Sequence, residues 1–252
     1  MSQAADSAGI PFDGREFRPH PFAGDDGDTP LALRPALDQW AKATTTEAYL
    51  DLVGALPGVR ILIPLIAEAG EWGQTPEGRL VDKTQELSIP TVRGPDHQPV
   101  GLIFTDVASL RLWRAEARPQ PAEIERAAAW AIEEGIGRLV LNPGSPSECV
   151  LRRGVLVSLL RQTPYIPPWA DPEARSAIDG GLEETGTVQD IASGWGDNEG
   201  LGPDLVVTVA LPPGLSDEER ASRQQTWAGH WASSSVIAER VDGIRLRVVA
   251  ES

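Results

Sequence analysis

The chain has 252 residues, 41% of them hydrophobic and 23% charged, and its 22 basic and 37 acidic side chains give a formal net charge of −15. That composition belongs to a globular protein with a hydrophobic core, and its acidity disfavours broad attraction to nucleic acid or anionic lipid. The lone cysteine, Cys149, excludes an intrachain disulfide and a cysteine-rich zinc site.

The acidity is concentrated. Residues 1–29 carry a net −4 and residues 170–204 a net −8, whereas 30–169 and 205–252 are close to neutral. This pattern predicts a solvated, disordered acidic tail over 1–29, a first domain over 30–162, a Pro/Gly/acid-rich linker over 163–202 and a small C-terminal module over 203–252. Residues 1–29 lack the basic start and apolar run of a signal peptide. The apolar stretch Ile61–Ala67 is broken by Pro64 and falls far short of the ~20 residues a spanning helix needs. The expectation is a cytoplasmic protein without a membrane segment.

Leu33, Leu37, Trp40 and Ala41 start a helical pattern, and Thr44 with Glu47 has the spacing of a capping box for a second helix that buries Tyr49, Leu52, Val53 and Leu56. Val59–Ala67 reads as a buried strand. Glu86–Val92 and Val100–Phe104 read as a hairpin around Arg93–His97. Thr105 or Asp106 can cap a helix burying Val107, Leu110 and Trp113, and Pro121 suits the first turn of the next helix, which Gly135 closes. A strand over Arg138–Leu141, a turn over Asn142–Pro146, a returning strand over Glu148–Leu151 and a helix over Val155–Leu160 follow.

In the predicted linker, Trp169 and Trp195 are candidates to dock on a domain. Leu205–Leu211 is the next strand. Ser216 with Glu219 repeats the capping-box spacing, and the helix it opens carries Trp227 and Trp231 one turn apart. Asp242-Gly243 suggests a hairpin between Val236–Val241 and Ile244–Val249. The fold class is α/β (α+β): a mixed sheet flanked by helices, with a second small βα(β) module. That module, about 50 residues long, is too small to be stable alone and is expected to pack on the first domain or on another chain.

Three segments carry a resemblance: Val59-Arg60-Ile61-Leu62-Ile63-Pro64-Leu65; Gly101-Leu102-Ile103-Phe104-Thr105-Asp106-Val107-Ala108-Ser109-Leu110, continuing to Trp113; and Leu139-Val140-Leu141-Asn142-Pro143-Gly144-Ser145-Pro146, continuing to Arg153. Over residues 46–162 the chain resembles the SseB N-terminal domain family, and the C-terminal unit resembles the family's second domain weakly. The resemblance implies a mixed α/β fold and a cytoplasmic bacterial protein. It implies no catalytic residue, since its motifs describe strand–helix and strand–turn junctions.

The residues themselves present no catalytic constellation. Gly-x-Ser-x-Gly and Gly-x-x-x-x-Gly-Lys are absent, and Gly194, Gly196, Gly200 and Gly202 lack dinucleotide-binding spacing. His20, His97 and His230 are far apart, so no metal site is predicted. Val150 and Leu151 follow Cys149 where an anion-cradling loop would need glycines, so Cys149 reads as a buried structural thiol. Paired acids such as Glu133-Glu134 and Glu183-Glu184 read as solvated faces.

Two features are candidate interaction surfaces. Arg111, Arg114 and Arg118 have the spacing of one helix face, with Arg152 and Arg153 elsewhere; they could receive an acidic partner segment or an RNA or phosphate group, or simply pair with Glu116 and Asp106. Trp227 and Trp231 could form an interface or pack on the module's own sheet. The function read from the sequence is a non-enzymatic interaction or regulatory protein with a protein partner, needing no cofactor; homo-oligomerisation is compatible with it. The alternatives are a sensor of an amino acid or nucleotide bound between the two modules, and an enzyme with an unrecognised site.

Overall fold

A computed structural model of the chain describes residues 22–66, 73–74, 80–81, 89–94, 97–182, 185–193 and 202–250. The first unit runs α1(Arg34–Lys42), α2(Thr46–Gly54), β1(Arg60–Leu65), a two-residue ladder of β2(Gly73–Gln74) and β3(Leu80–Val81), β4(Thr91–Arg93), β5(Pro99–Ile103), α3(Val107–Trp113), β6(Arg118–Glu123), α4(Ile124–Glu133), β7(Arg138–Leu141), β8(Cys149–Arg152) and α5(Arg153–Arg161). Its sheet has the order β4-β5-β7-β8, with only β5 and β7 parallel. The β1–β6 pair joins that sheet where Leu62 and Phe104 exchange backbone hydrogen bonds of 2.7 and 2.9 Å.

The alternation of side chains along the strands builds two cores. Ile61, Ile63 and Ile103 face α1, α2, α4 and α5, together with Leu139, Leu141 and Leu151. Leu62, Leu102 and Phe104 face the other way, against Leu110 of α3. The sheet is therefore flanked by helices on both faces, as the α/β reading expects. Gly101 permits this packing, because a Cβ there would lie 2.7 Å from Leu139 Cδ2 and 3.0 Å from the Trp130 ring.

The second unit contains a 3₁₀ turn at Pro168–Ala170, α6(Pro172–Gly180), β9(Thr187–Ser193), β10(Leu205–Leu211), α7(Asp217–Ser233), α8(Ser235–Arg240) and β11(Ile244–Ala250). Its sheet order is β11-β10-β9. Its core joins Ala174 and Ile178 of α6 to Val207 and Val209 of β10 and to Trp227 and Trp231 of α7. Both halves of the Ser216–Glu219 capping box are present at the start of α7.

Several expectations change. The predicted linker 163–202 holds the 3₁₀ turn, α6 and β9, and Trp169 packs on the second core; Trp195 lies outside the described residues. One acid of this stretch serves local structure: Asp171 accepts from Glu173 N and Ala174 N as the cap of α6 and pairs with Arg240 at 2.6 Å. The end of the predicted tail is also engaged. Asp25 pairs with Arg60 at 2.8 Å, and Gly27 O accepts from Val107 N, while residues 1–21 lie outside the described residues.

Pro121 opens no helix. Residues before a proline are pushed out of the α region, so Arg118-Pro119-Gln120-Pro121 extends as β6, with Leu62 opposite Pro121 and Pro64 opposite Pro119. Leu62 directs its own N–H and C=O to Phe104, on the side away from β6. These are thus the non-hydrogen-bonded positions of the β1–β6 ladder, where a proline's missing N–H costs nothing.

The predicted Val236–Val241 strand is helix α8, capped by Ser234, and β11 pairs parallel with β10. Parallel neighbours need a crossover, which α7 and α8 supply. Thr45, not Thr44, caps α2 by accepting from Ala48 N at 3.2 Å. In the predicted hairpin the paired strands are β4 and β5; residues 82–88 lie outside the described residues.

Candidate functional site

The arginines expected on one helix face do not share one. Arg111 is in the last turn of α3, Arg114 caps its C-terminus in an extended conformation (φ −154°, ψ 111°), and Arg118 opens β6. Arg114 lies 5.2 Å from the Trp113 ring centroid and 3.5 Å from Glu116, the local pairing that a solvated surface provides. Trp227 and Trp231 are 1% and 5% exposed, and their indole N–H groups donate to Thr185 Oγ1 at 2.8 Å and Ile178 O at 3.1 Å. They are core residues, not an exposed surface. Cys149 is buried, and desolvation pushes its thiol well above the ordinary value, against nucleophilic reactivity. Among the described residues no group of His, Cys, Asp and Glu could hold a metal ion.

Arg152 and Arg153 lie where the two units meet. Arg152 ends β8 with a side chain 4% exposed; its Nη1 donates to Gly202 O at 2.8 Å and lies 3.9 Å from Asp242 Oδ2. Helix α5, which starts at Arg153, has no cap from its own flanking side chain. The Asp242 carboxylate of the other unit faces this helix start, where the Arg153 backbone N–H favours its charged form. Asp204, 2% exposed, clamps the same turn by accepting from Asp242 N at 3.1 Å and Gly243 N at 3.0 Å. Arg161 on α5 pairs with Glu239 on α8 as a second tie.

The electrostatics follow from burial. Asp242 has a surface backbone but an inward side chain, 16% exposed. Desolvation first, and the neighbouring Asp204 second, push its carboxyl up to about 6 against the pull of Arg152, the Arg153 N–H and Arg138. Desolvation also raises Asp204, against its two backbone hydrogen bonds and Arg152. Tyr165 beside them is raised by burial and then by the two carboxylates.

Beside this joint is a crevice of about 850 Å³ with walls from both units. The first unit supplies Gln98, the turn entering β7 with Arg138, and Arg152-Arg153; the second supplies Gly202-Pro203, the end of α8 and the start of β11 with Arg245. Among the described residues, four arginines and one acid, Asp242, are the charged residues of its lining. The sequence singled out two of the four arginines; Arg138 and Arg245 belong to strands distant in sequence, and no local spacing marks them.

The motif residues converge at the other end of the sheet, beyond the carboxyl ends of parallel β5 and β7. Asn142, 1% exposed with φ +50°, accepts from Thr105 N at 2.8 Å and donates to Thr105 Oγ1 at 2.9 Å and Ser147 Oγ at 3.0 Å. Asp106 caps α3 by accepting from Ser109 N at 2.7 Å and also accepts from Thr29 Oγ1 at 2.9 Å. Burial works against its charge, but the hydrogen bonds from Ser109, Thr29 and Thr105 outweigh it and hold the carboxyl below the ordinary value. A saturated network of this kind fixes two strand exits; its groups are already spent on one another.

No curated protein and no solved structure matches the chain significantly. The family model for the SseB protein N-terminal domain matches residues 33–156, from the residue before α1 into α5, so the match covers the first unit and none of the second. By that match this part of the chain belongs to the SseB N-terminal domain family.

Proposed function

We propose that the chain is a non-catalytic regulatory protein that binds a small ligand in the crevice between its two units. The observation that carries this reading is the shared wall: a ligand touching both Arg153 of α5 and Arg245 of β11 contacts two separately cored units at once. Occupancy would bias how the units sit together, which is the way a binding protein signals to a partner. A protein partner, not yet identified, would read that change, in the cytoplasm of a bacterial cell.

The arrangement favours binding over turnover. A carboxyl titrating near 6 in a cleft has the profile of a general base, but the Asp242 carboxylate already faces the Arg152 guanidinium at 3.9 Å. Among the described residues no hydroxyl or thiol nucleophile belongs to the crevice lining.

A thermal-shift screen of the purified chain against amino acids, nucleotides and other metabolites tests the reading, followed by small-angle scattering with each ligand that shifts the transition. A ligand that raises the melting temperature and alters the scattering curve supports it. Absence of any shift, or turnover of a substrate that is lost when a crevice residue is changed, would overturn it.

A further inference from the structure

Resting on that reading of the crevice, we infer that its ligand is a small organic phosphate. The chain as a whole carries −15, yet among the described residues the crevice gathers Arg138, Arg152, Arg153 and Arg245 around one lining acid, Asp242. Asp204, the other carboxylate at the joint, is buried and spends both oxygens on the Asp242 and Gly243 N–H groups. Acids outnumber bases overall, so a concentration of guanidinium groups at one cleft is not what a surface of average composition supplies.

Two of these arginines have no ion-pair partner among the described residues. Arg153 keeps a buried Nε without a hydrogen-bond acceptor, and Arg245, exposed on β11, faces the cleft from the opposite wall. A buried guanidinium N–H left unpaired is costly, and an anion in the crevice would satisfy it. The excess of positive charge suits a group carrying two or more negative charges, and the planar guanidinium matches phosphate oxygens in pairs. Pro99, Pro203, Val241 and Ile244 add apolar surface for the organic part of the ligand, and the volume lies within the range of small-molecule sites.

Isothermal titration of the full chain at low salt tests this with two probes, inorganic diphosphate and citrate. The expected result is diphosphate binding that weakens with added salt and exceeds citrate binding by at least tenfold. Arg245→Ala and Arg153→Gln should each weaken diphosphate at least tenfold with the melting transition retained, whereas Asp242→Asn should strengthen it by removing the competing charge. No diphosphate binding, equal binding of citrate, or affinity unmoved by both arginine variants would overturn the phosphate assignment. A neutral ligand that binds the crevice and ignores Arg245→Ala would overturn it too while leaving the ligand-binding role standing; a screen in which no ligand binds the crevice removes both.

Discussion

Arg152 and Asp242 lie 90 positions apart, yet one guanidinium nitrogen of Arg152 reaches both Gly202 O (2.8 Å) and the Asp242 carboxylate (3.9 Å). One buried group on the last strand of the first unit thus holds two loops of the second. Removing one member of a buried charged pair typically costs about 3–5 kcal/mol. Arg152→Ala should destabilise the protein by about 3 kcal/mol in urea unfolding, with the loss concentrated at the joint. Hydrogen exchange should then show faster opening of residues 202–204 and of the first turn of α5.

The joint should also respond to pH. Asp242 has a folded-state pKa of about 6 against an ordinary 3.8, so the folded state holds its proton more tightly than the unfolded state does. Its contribution favours folding at low pH and is lost as pH rises from about 4 through about 6, by on the order of 3 kcal/mol. Asp204, also raised, acts in the same direction. Asp242→Asn keeps the size and shape of the side chain and removes the charge. The variant should show a flatter stability profile between pH 4 and 6 than the wild type; a wild-type slope unchanged in the variant would refute this assignment.

Trp227 and Trp231 fit against glycines. A Cβ on Gly181 would lie 2.5 Å from Trp231 Nε1, and one on Gly186 would lie 2.9 Å from Trp227 Cζ2 and 2.8 Å from Val209 Cγ1. Gly181→Ala and Gly186→Ala should each destabilise by about 1–3 kcal/mol, the usual cost of overpacking. Tryptophan fluorescence followed through denaturant titration measures both.

Asn142 combines a left-handed backbone with a buried side chain that satisfies the Thr105 N–H. Asn142→Ala removes that acceptor and places a Cβ residue without a compensating hydrogen bond at φ +50°. A loss of about 2–4 kcal/mol is expected, measured by thermal or urea unfolding. Asn142→Asp, which keeps the acceptor, should lose less.

The arginines of the α3 region make a contrasting case. Arg111 and Arg118 are exposed, and Arg114 engages only Trp113 and Glu116 nearby. Replacing all three by alanine should change stability by no more than about 0.5 kcal/mol per site, leaving the unfolding midpoint almost unmoved.

Elements whose determinants are local were legible in the sequence. The capping box of α7, the Asp106 cap of α3, the Gly135 stop after α4 and the apolar alternation of β1 and β5 act within a few residues. One local signal was present but weighed wrongly: Arg118 and Gln120 each precede a proline, which excludes them from a helix and dissolves the arginine face. The linker reading failed for a related reason. Asp171 adds to the local charge but caps α6, and Asp179 pairs with Arg175 at 2.9 Å, so composition alone does not separate structural acids from solvating ones.

By itself the sequence determined the fold class, the family of the first unit and the burial of Cys149, because periodicity, capping and apolar runs are properties of neighbouring residues. Only the tertiary structure decided that β10 and β11 are parallel, that α6 and β9 belong to the second unit, and that Arg138, Arg152, Arg153 and Arg245 face one crevice. Those relationships are set by which sheet edges pair and which helices cover them. They bring together residues separated by many tens of positions, where no spacing rule reaches.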